Sequence, residues 1–211
     1  TEAVGSPLTR ANTQFGELRG VTTSDHFSTP NVVTTWNAVD FRFRAKINSM
    51  PNNYIFCIDK ESSCYMVMDV TGRIELKYWD TGGTIRSVFS QARGLPFLGV
   101  RLWARATLNA TTGDIKFFTA DGNLEAPAIS DWVQLGATVN PTAGPTSIAI
   151  NTNGFLVGES GNYPTNYPLD GDIYRAQVFN EIDGTTPVVD FTAGSYVSGS
   201  TLVSSTSGET W

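Results

Sequence analysis

Residues 40–47 alternate strictly, with Phe41, Phe43, Ala45 and Ile47 on one side of the chain and Arg42, Arg44 and Lys46 on the other. A period of two marks a half-buried β-strand, because successive side chains of an extended chain point to opposite faces. The rhythm returns at residues 98–108, where Val100, Leu102, Ala104, Ala106 and Leu108 alternate with Arg101, Trp103, Arg105 and Thr107. That run is long enough to pass for a helix, but apolar residues at i, i+2 and i+4 predict a strand. Shorter runs at 54–58, 64–70, 73–79, 85–89, 114–120, 132–139, 147–150, 155–157, 172–179 and 188–191 read as further strands. Thr71-Gly72, Asp80-Thr81-Gly82-Gly83 and Ala110-Thr111-Thr112-Gly113 punctuate them as turns. No strand-helix-strand rhythm is present, so an all-β sandwich of two antiparallel sheets packed face to face is expected over residues 32–211. Residues 1–31 are polar, with one short apolar piece around Phe15, Leu18 and Val21, and read as an arm plus an edge strand.

Composition supports this picture and removes some functions. Apolar residues make up 40% and aromatics 11% of the 211 residues, enough for a core in one domain. Charged residues are only 16%, against about 25% in ordinary soluble domains. Thr, Ser, Asn and Gly replace them, which suits pleated surfaces and turns. A net charge of −6 argues against a phosphate-binding surface, so no nucleic acid partner is expected. No run approaches the roughly 18 apolar residues of a membrane span, and the first residues have neither the basic nor the apolar region of a secretion signal. No membrane partner is expected. Cys57 and Cys64 flank a turn and could either be joined across a hairpin or stay reduced and buried. Without a nearby His or further Cys they form no zinc site.

The outward positions of the predicted strands carry the most suggestive chemistry. Arg42, Arg44, Lys46, Arg101, Arg105 and Arg175 are six of the 14 Lys and Arg residues, and Trp103 falls among them. If their strands share a sheet, Trp103 could stack a sugar ring while the guanidiniums bond its hydroxyls or carboxylates. The structural alternative is that Glu75 and Asp40 pair with these cations while Trp79 and Trp103 cover one another, as ordinary cross-strand stabilisation. A second binding candidate is the patternless loop at residues 158–168, with Tyr163 and Tyr167. Such loops either contact ligands or pack on a sandwich edge. The single histidine, His26, has no Gly-x-Ser-x-Gly elbow to work with and reads as a surface residue. No metal site is expected from spacing. Calcium is the one cofactor that the turn-associated Asp80, Asp170, Asp172, Asp183 and Asp190 could hold, though no Asp-x-Asp-x-Asp loop is present.

Several stretches, in order, resemble concanavalin A-like, laminin G-type jelly-roll domains, in the version carried by virion proteins of tailed bacteriophages. They are residues 98–108, Thr112-Gly113-Asp114-Ile115-Lys116-Phe117-Phe118, Trp132-Val133-Gln134-Leu135-Gly136, residues 172–179, Gly184, Val189-Asp190-Phe191 and Ser207-Gly208-Glu209-Thr210-Trp211. The resemblance implies a twisted jelly roll within a virion structural protein of the tail, fibre or capsid surface. It implies partners among other virion proteins, copies of itself or host-surface glycans, and decoration of the particle; the polar arm at residues 1–31, suited to reaching an adjacent subunit, favours assembly over glycan binding. Relatives often continue for another strand beyond the position of Trp211, so a longer parent chain is expected. Laminarinase-type relatives place a Glu-x-Asp-x-x-Glu series on one strand. Here the series at Glu181 and Asp183 ends on Thr186 and lies in a turn, so no catalytic residue and no enzyme activity are expected. The alternatives from other classes are a glycoside hydrolase and a secreted carbohydrate-binding module of the same fold.

Overall fold

The computed structural model describes residues 16–19, 26–30, 32, 34–50, 53–93, 98–160 and 169–193. Its strands are β1 (Gly16–Arg19), β2 (Phe27–Ser28), β3 (Ala38–Ser49), β4 (Tyr54–Lys60), β5 (Cys64–Asp69), β6 (Ile74–Trp79) and β7 (Ile85–Phe89). They continue as β8 (Arg101–Asn109), β9 (Ile115–Asp121), β10 (Val133–Gln134), β11 (Leu156–Val157), β12 (Asp170–Phe179) and β13 (Val189–Thr192). Sheet I has seven strands in the order β1-β12-β3-β8-β9-β10, with β13 also paired to β12, and sheet II has six in the order β2-β11-β4-β5-β6-β7. All pairings are antiparallel.

The alternating runs become the two inner faces. Phe41, Phe43, Ala45 and Ile47 of β3 and Leu102, Ala104, Ala106 and Leu108 of β8 share one core with Ile55, Met66, Leu76 and Tyr78 of sheet II. Burying a large apolar side chain is worth about 1.5–3 kcal/mol. A one-residue slip of β3 would exchange that face for Arg42, Arg44 and Lys46, so the pattern fixes the register. In β4 a bulge inserts Cys57 between Phe56, opposite Val67, and Ile58, opposite Met66. The hairpin register then places Cys64 opposite Lys60 rather than Cys57, and the two buried cysteines are free. Burial pushes the Cys64 thiol up to about 12 and the Cys57 thiol well above its ordinary value.

Three expectations from the pattern change. Residues 147–150 form no strand: Ile148 is buried and the Ala149 N–H donates to the Trp79 carbonyl at 2.7 Å, but the segment is crossing from sheet I to sheet II and has no ladder beside it. The run at 132–139 shortens to β10, because Gly136 takes a φ of +80° and interrupts the ladder, which returns to β9 only as a single bridge between Val139 and Ile115. The expected edge strand near the N-terminus is two strands, β1 on sheet I and β2 on sheet II.

Candidate functional site

Strands β3, β8 and β12 are neighbours in sheet I, and their outward positions face one another across the ladders. Arg42 lies opposite Arg105, Arg44 opposite Trp103, Lys46 opposite Arg101, and Arg175 opposite Arg44. The sequence candidates thus come together on one face. The face is not open, however: Trp103 is 0% exposed and Arg44 and Arg105 are each 2% exposed. Trp103 therefore cannot serve as a stacking platform, which corrects the sequence expectation.

Two segments cover this face. The first connects β9 to β10. Within it Trp132 packs edge-on against Trp103 at 6.0 Å, Trp103 Nε1 donates to the Leu124 carbonyl at 2.8 Å, and Glu125 receives both terminal nitrogens of Arg44 at 2.7 and 2.9 Å. The second is the turn after β12, where Asp183 accepts from Arg105 Nη2 at 2.6 Å. Beneath it Asp40, 0% exposed, receives Arg105 Nε and Nη2 at 2.8 and 2.7 Å and Arg42 Nη2 at 2.7 Å. One buried carboxylate thus orients two guanidiniums. Burial alone would lower the Arg105 pKa, but the bonds and charge of Asp40, followed by those of Asp183, outweigh it and hold the group above its ordinary value.

The other candidates are also occupied. Arg175 forks onto Asp190 at 2.9 and 2.7 Å, Arg101 lies 4.1 Å over the Tyr174 ring, and Lys46 reaches Asp172 at 3.7 Å. The alternative of cross-strand pairing was right for Asp40 and wrong in two details. Glu75 sits in sheet II, where it accepts from Ser87, and Trp79 packs on Tyr65 of sheet II rather than on Trp103. Tyr163 and Tyr167 lie outside the described residues. His26 Nδ1 is 2.5 Å from a carboxylate oxygen of Glu159. Glu181, Asp183 and Thr186 fall in the turn after β12, as the sequence suggested. The five Asp residues considered for calcium are dispersed. Asp80 ties its own turn through Gly82 and Thr84, Asp170 takes Ser49, and Asp172, Asp183 and Asp190 face Lys46, Arg105 and Arg175. Among the described residues no three His, Cys, Asp or Glu side chains converge as metal ligands.

A cleft of about 310 Å³ opens beside the covered cations, over β8, β9 and β10. Phe118, Ile129, Trp132 and Ile182 supply its apolar lining, and Thr107, Asn109, Asp114, Lys116 and Gln134 its polar lining. Arg105 and Asp183 line it too, so the buried ion network fixes part of its wall. Arg105 also braces the aromatic lining, lying 5.0 Å from the Phe118 ring and 5.4 Å from that of Trp132. Lys116 is exposed and has no ion-pair partner among the described residues. Asn109 accepts Thr111 and Thr112 N–H groups on Oδ1, at 2.9 and 3.3 Å, which leaves its amide donors for the cleft. Sequence reasoning missed Phe118, Lys116, Asn109, Ile129 and Trp132 as site residues. The signal was in β9, where Ile115 and Phe117 point inward and Lys116 and Phe118 therefore point out.

No protein-family model and no curated protein sequence matches this chain. Solved structures do. A putative carbohydrate-binding protein from Bacteroides ovatus aligns at a TM-score of 0.60 over 89% of this chain and 55% of its own, with 11% identity. The sialidase module CBM40 of Ruminococcus gnavus, solved with α2,3-sialyllactose, aligns at 0.52 over 78% of this chain and 95% of its own, also with 11% identity. Mouse laminin α1 domains LG4-5 align at 0.48, covering 80% of this chain and 44% of theirs, with 11% identity. At such low identity the likeness speaks for architecture. Together with the two antiparallel sheets, it makes this chain an all-β, concanavalin A-like jelly-roll sandwich.

Proposed function

We propose that this domain binds glycans, without catalysing their cleavage, in the cleft over β8, β9 and β10. The observation that carries the reading is the pairing of an apolar wall, half-buried Phe118 and exposed Ile129 beside the largely buried Trp132, with uncommitted polar groups on Asn109 and Lys116. A sugar ring needs both, an apolar surface for its C–H face and convergent donors for its hydroxyls. The cleft stands on an antiparallel sheet braced by a buried ion network, so its walls need little reorganisation on binding. The names of the Bacteroides and Ruminococcus neighbours support the same class of ligand. Asp183 spends its carboxylate on Arg105, and Asp114 accepts from Asn140, which leaves the cleft ill suited to the paired acid and base of a hydrolase.

The setting we propose is a virion surface, as the tailed-phage resemblance of residues 98–118 implies. Attachment to host glycan is favoured over assembly through a free arm, because Gly16–Arg19 of that arm pairs with β12 of its own chain. The test is a glycan array probed with the wild type and with Lys116→Ala, each with and without calcium. A specific signal that K116A weakens at least fivefold supports the reading. A blank array from folded protein overturns it.

A further inference from the structure

A second depression, about 410 Å³, lies at the end of sheet I where β3, β8 and β12 meet their loops. Its lining includes Asn37, Asn180 and Glu181, and it shares Asn109 and Ile182 with the cleft above. The two recesses adjoin at those two shared residues. Their chemistry differs, since Trp132 and Phe118 border only the first and the second is dominated by amide and carboxylate groups.

We infer that the two together are built for an oligosaccharide of at least two units, with a neutral unit seated among Asn37, Asn109 and Asn180. This rests on the glycan-binding reading of the first cleft. Among the described residues no hydrogen bond occupies the side chains of Asn37, Asn180 or Glu181, and Asn109 has only its oxygen engaged. Such uncommitted amides offer a donor and an acceptor side by side, the arrangement that vicinal sugar hydroxyls take up. Glu181 sets the charge preference. An anionic unit beside its carboxylate would be repelled, whereas at the other end Lys116 would accept one. The polarity of the ligand follows: an acidic unit, where present, lies toward Lys116 and the neutral unit toward Glu181.

The test is a chain-length series on the intact chain. Mono- to hexasaccharides of neutral, uronic acid and sialylated families are arrayed, and each hit is titrated by calorimetry alongside its component monosaccharides. The inference expects the longer ligand to bind at least tenfold more tightly than its best monosaccharide, and the N37A/N180A double variant to erase that gain. Unchanged thermal stability of the variant shows that the loss is local. If a monosaccharide binds as tightly as its oligomers, or the double variant keeps the gain, the inference fails while the glycan-binding reading stands. If nothing on the array binds, both fail.

Discussion

Asp40→Ala isolates the contribution of the buried ion network. Asp40 is 0% exposed and accepts five charge-assisted bonds from Arg105 and Arg42, plus the Asp183 N–H at 3.2 Å. Its removal leaves Arg105, 2% exposed, with Asp183 as its remaining anionic partner at one nitrogen. Breaking a buried pair from one side costs about 3–5 kcal/mol, because the remaining charge stays desolvated without its partner. For a domain of this size that corresponds to a fall in Tm of roughly 6–20 °C, at 2–4 °C per kcal/mol. Asp190→Ala is the control. It removes a fork of the same geometry from Arg175, whose side chain is 21% exposed and can hydrate. Its cost should be about 1.5–3 kcal/mol, the range for hydrogen bonds to charged groups. Urea denaturation of both variants and of D40A/R105M measures the difference. The reasoning is refuted if D40A loses less than D190A, or if adding R105M restores none of the lost stability.

Two carboxylates should shift the acid limb of stability in opposite senses. Glu125 has its pKa lowered first by the Arg44 hydrogen bonds, so its stabilisation is present above the unfolded value of about 4.3 and is lost as pH falls through the lower folded value. E125Q should flatten the fall in Tm between about pH 5 and 3, and an unchanged profile would contradict the pair. Glu75 is raised by burial, so its ionised form costs stability near neutrality and the cost disappears on acidification. E75Q should raise Tm at pH 7 and leave it unchanged near pH 3.5, with a lower Tm at pH 7 as the refuting result. The buried thiols of Cys57 and Cys64 should resist iodoacetamide at pH 8 in the folded protein and react at two sites per chain once denatured, read by intact mass. Prompt labelling of the native chain would show that β4 or β5 opens.

The strand pattern was legible because alternation and burial are the same fact seen twice. Period two at residues 40–47 and 98–108 marked which side chains enter the core, and those residues are buried in the structure apart from Val100, which precedes β8 and is 44% exposed. The same logic found the outward cations and failed on their exposure. Whether an outward residue meets water depends on what crosses it, and here residues 122–132 fold back over sheet I through Glu125, Leu124 and Trp132. Those contacts join Arg44 to Glu125 across 81 positions, a separation no local pattern encodes. The cleft was missed for a related reason, since Asn109, Phe118 and Trp132 come from three separate strands or loops. The bulge at Cys57 had no local signature either, and the tight turn closed by the Ser63 N–H on the Lys60 carbonyl sets Cys64 opposite Lys60.

The way β12 divides its outer edge has a consequence for how the fold can be cut and joined. β1 pairs with residues 170–173 and β13 with residues 175–178, both antiparallel to β12, with Tyr174 between them. The two short strands therefore lie end to end along one line, the last rung of β13 at Thr192 opposite Arg175 and the first rung of β1 at Gly16 opposite Ile173. A peptide joining Thr192 to Gly16 would span only the width of a bulge, turning two strands into one. With new ends opened at the turn Asp80-Thr81-Gly82-Gly83, such a circular permutant would keep the ladders of sheet I among the described residues. The same geometry would let the sandwich sit as an insert within a loop of a host protein, entering and leaving at nearly the same point.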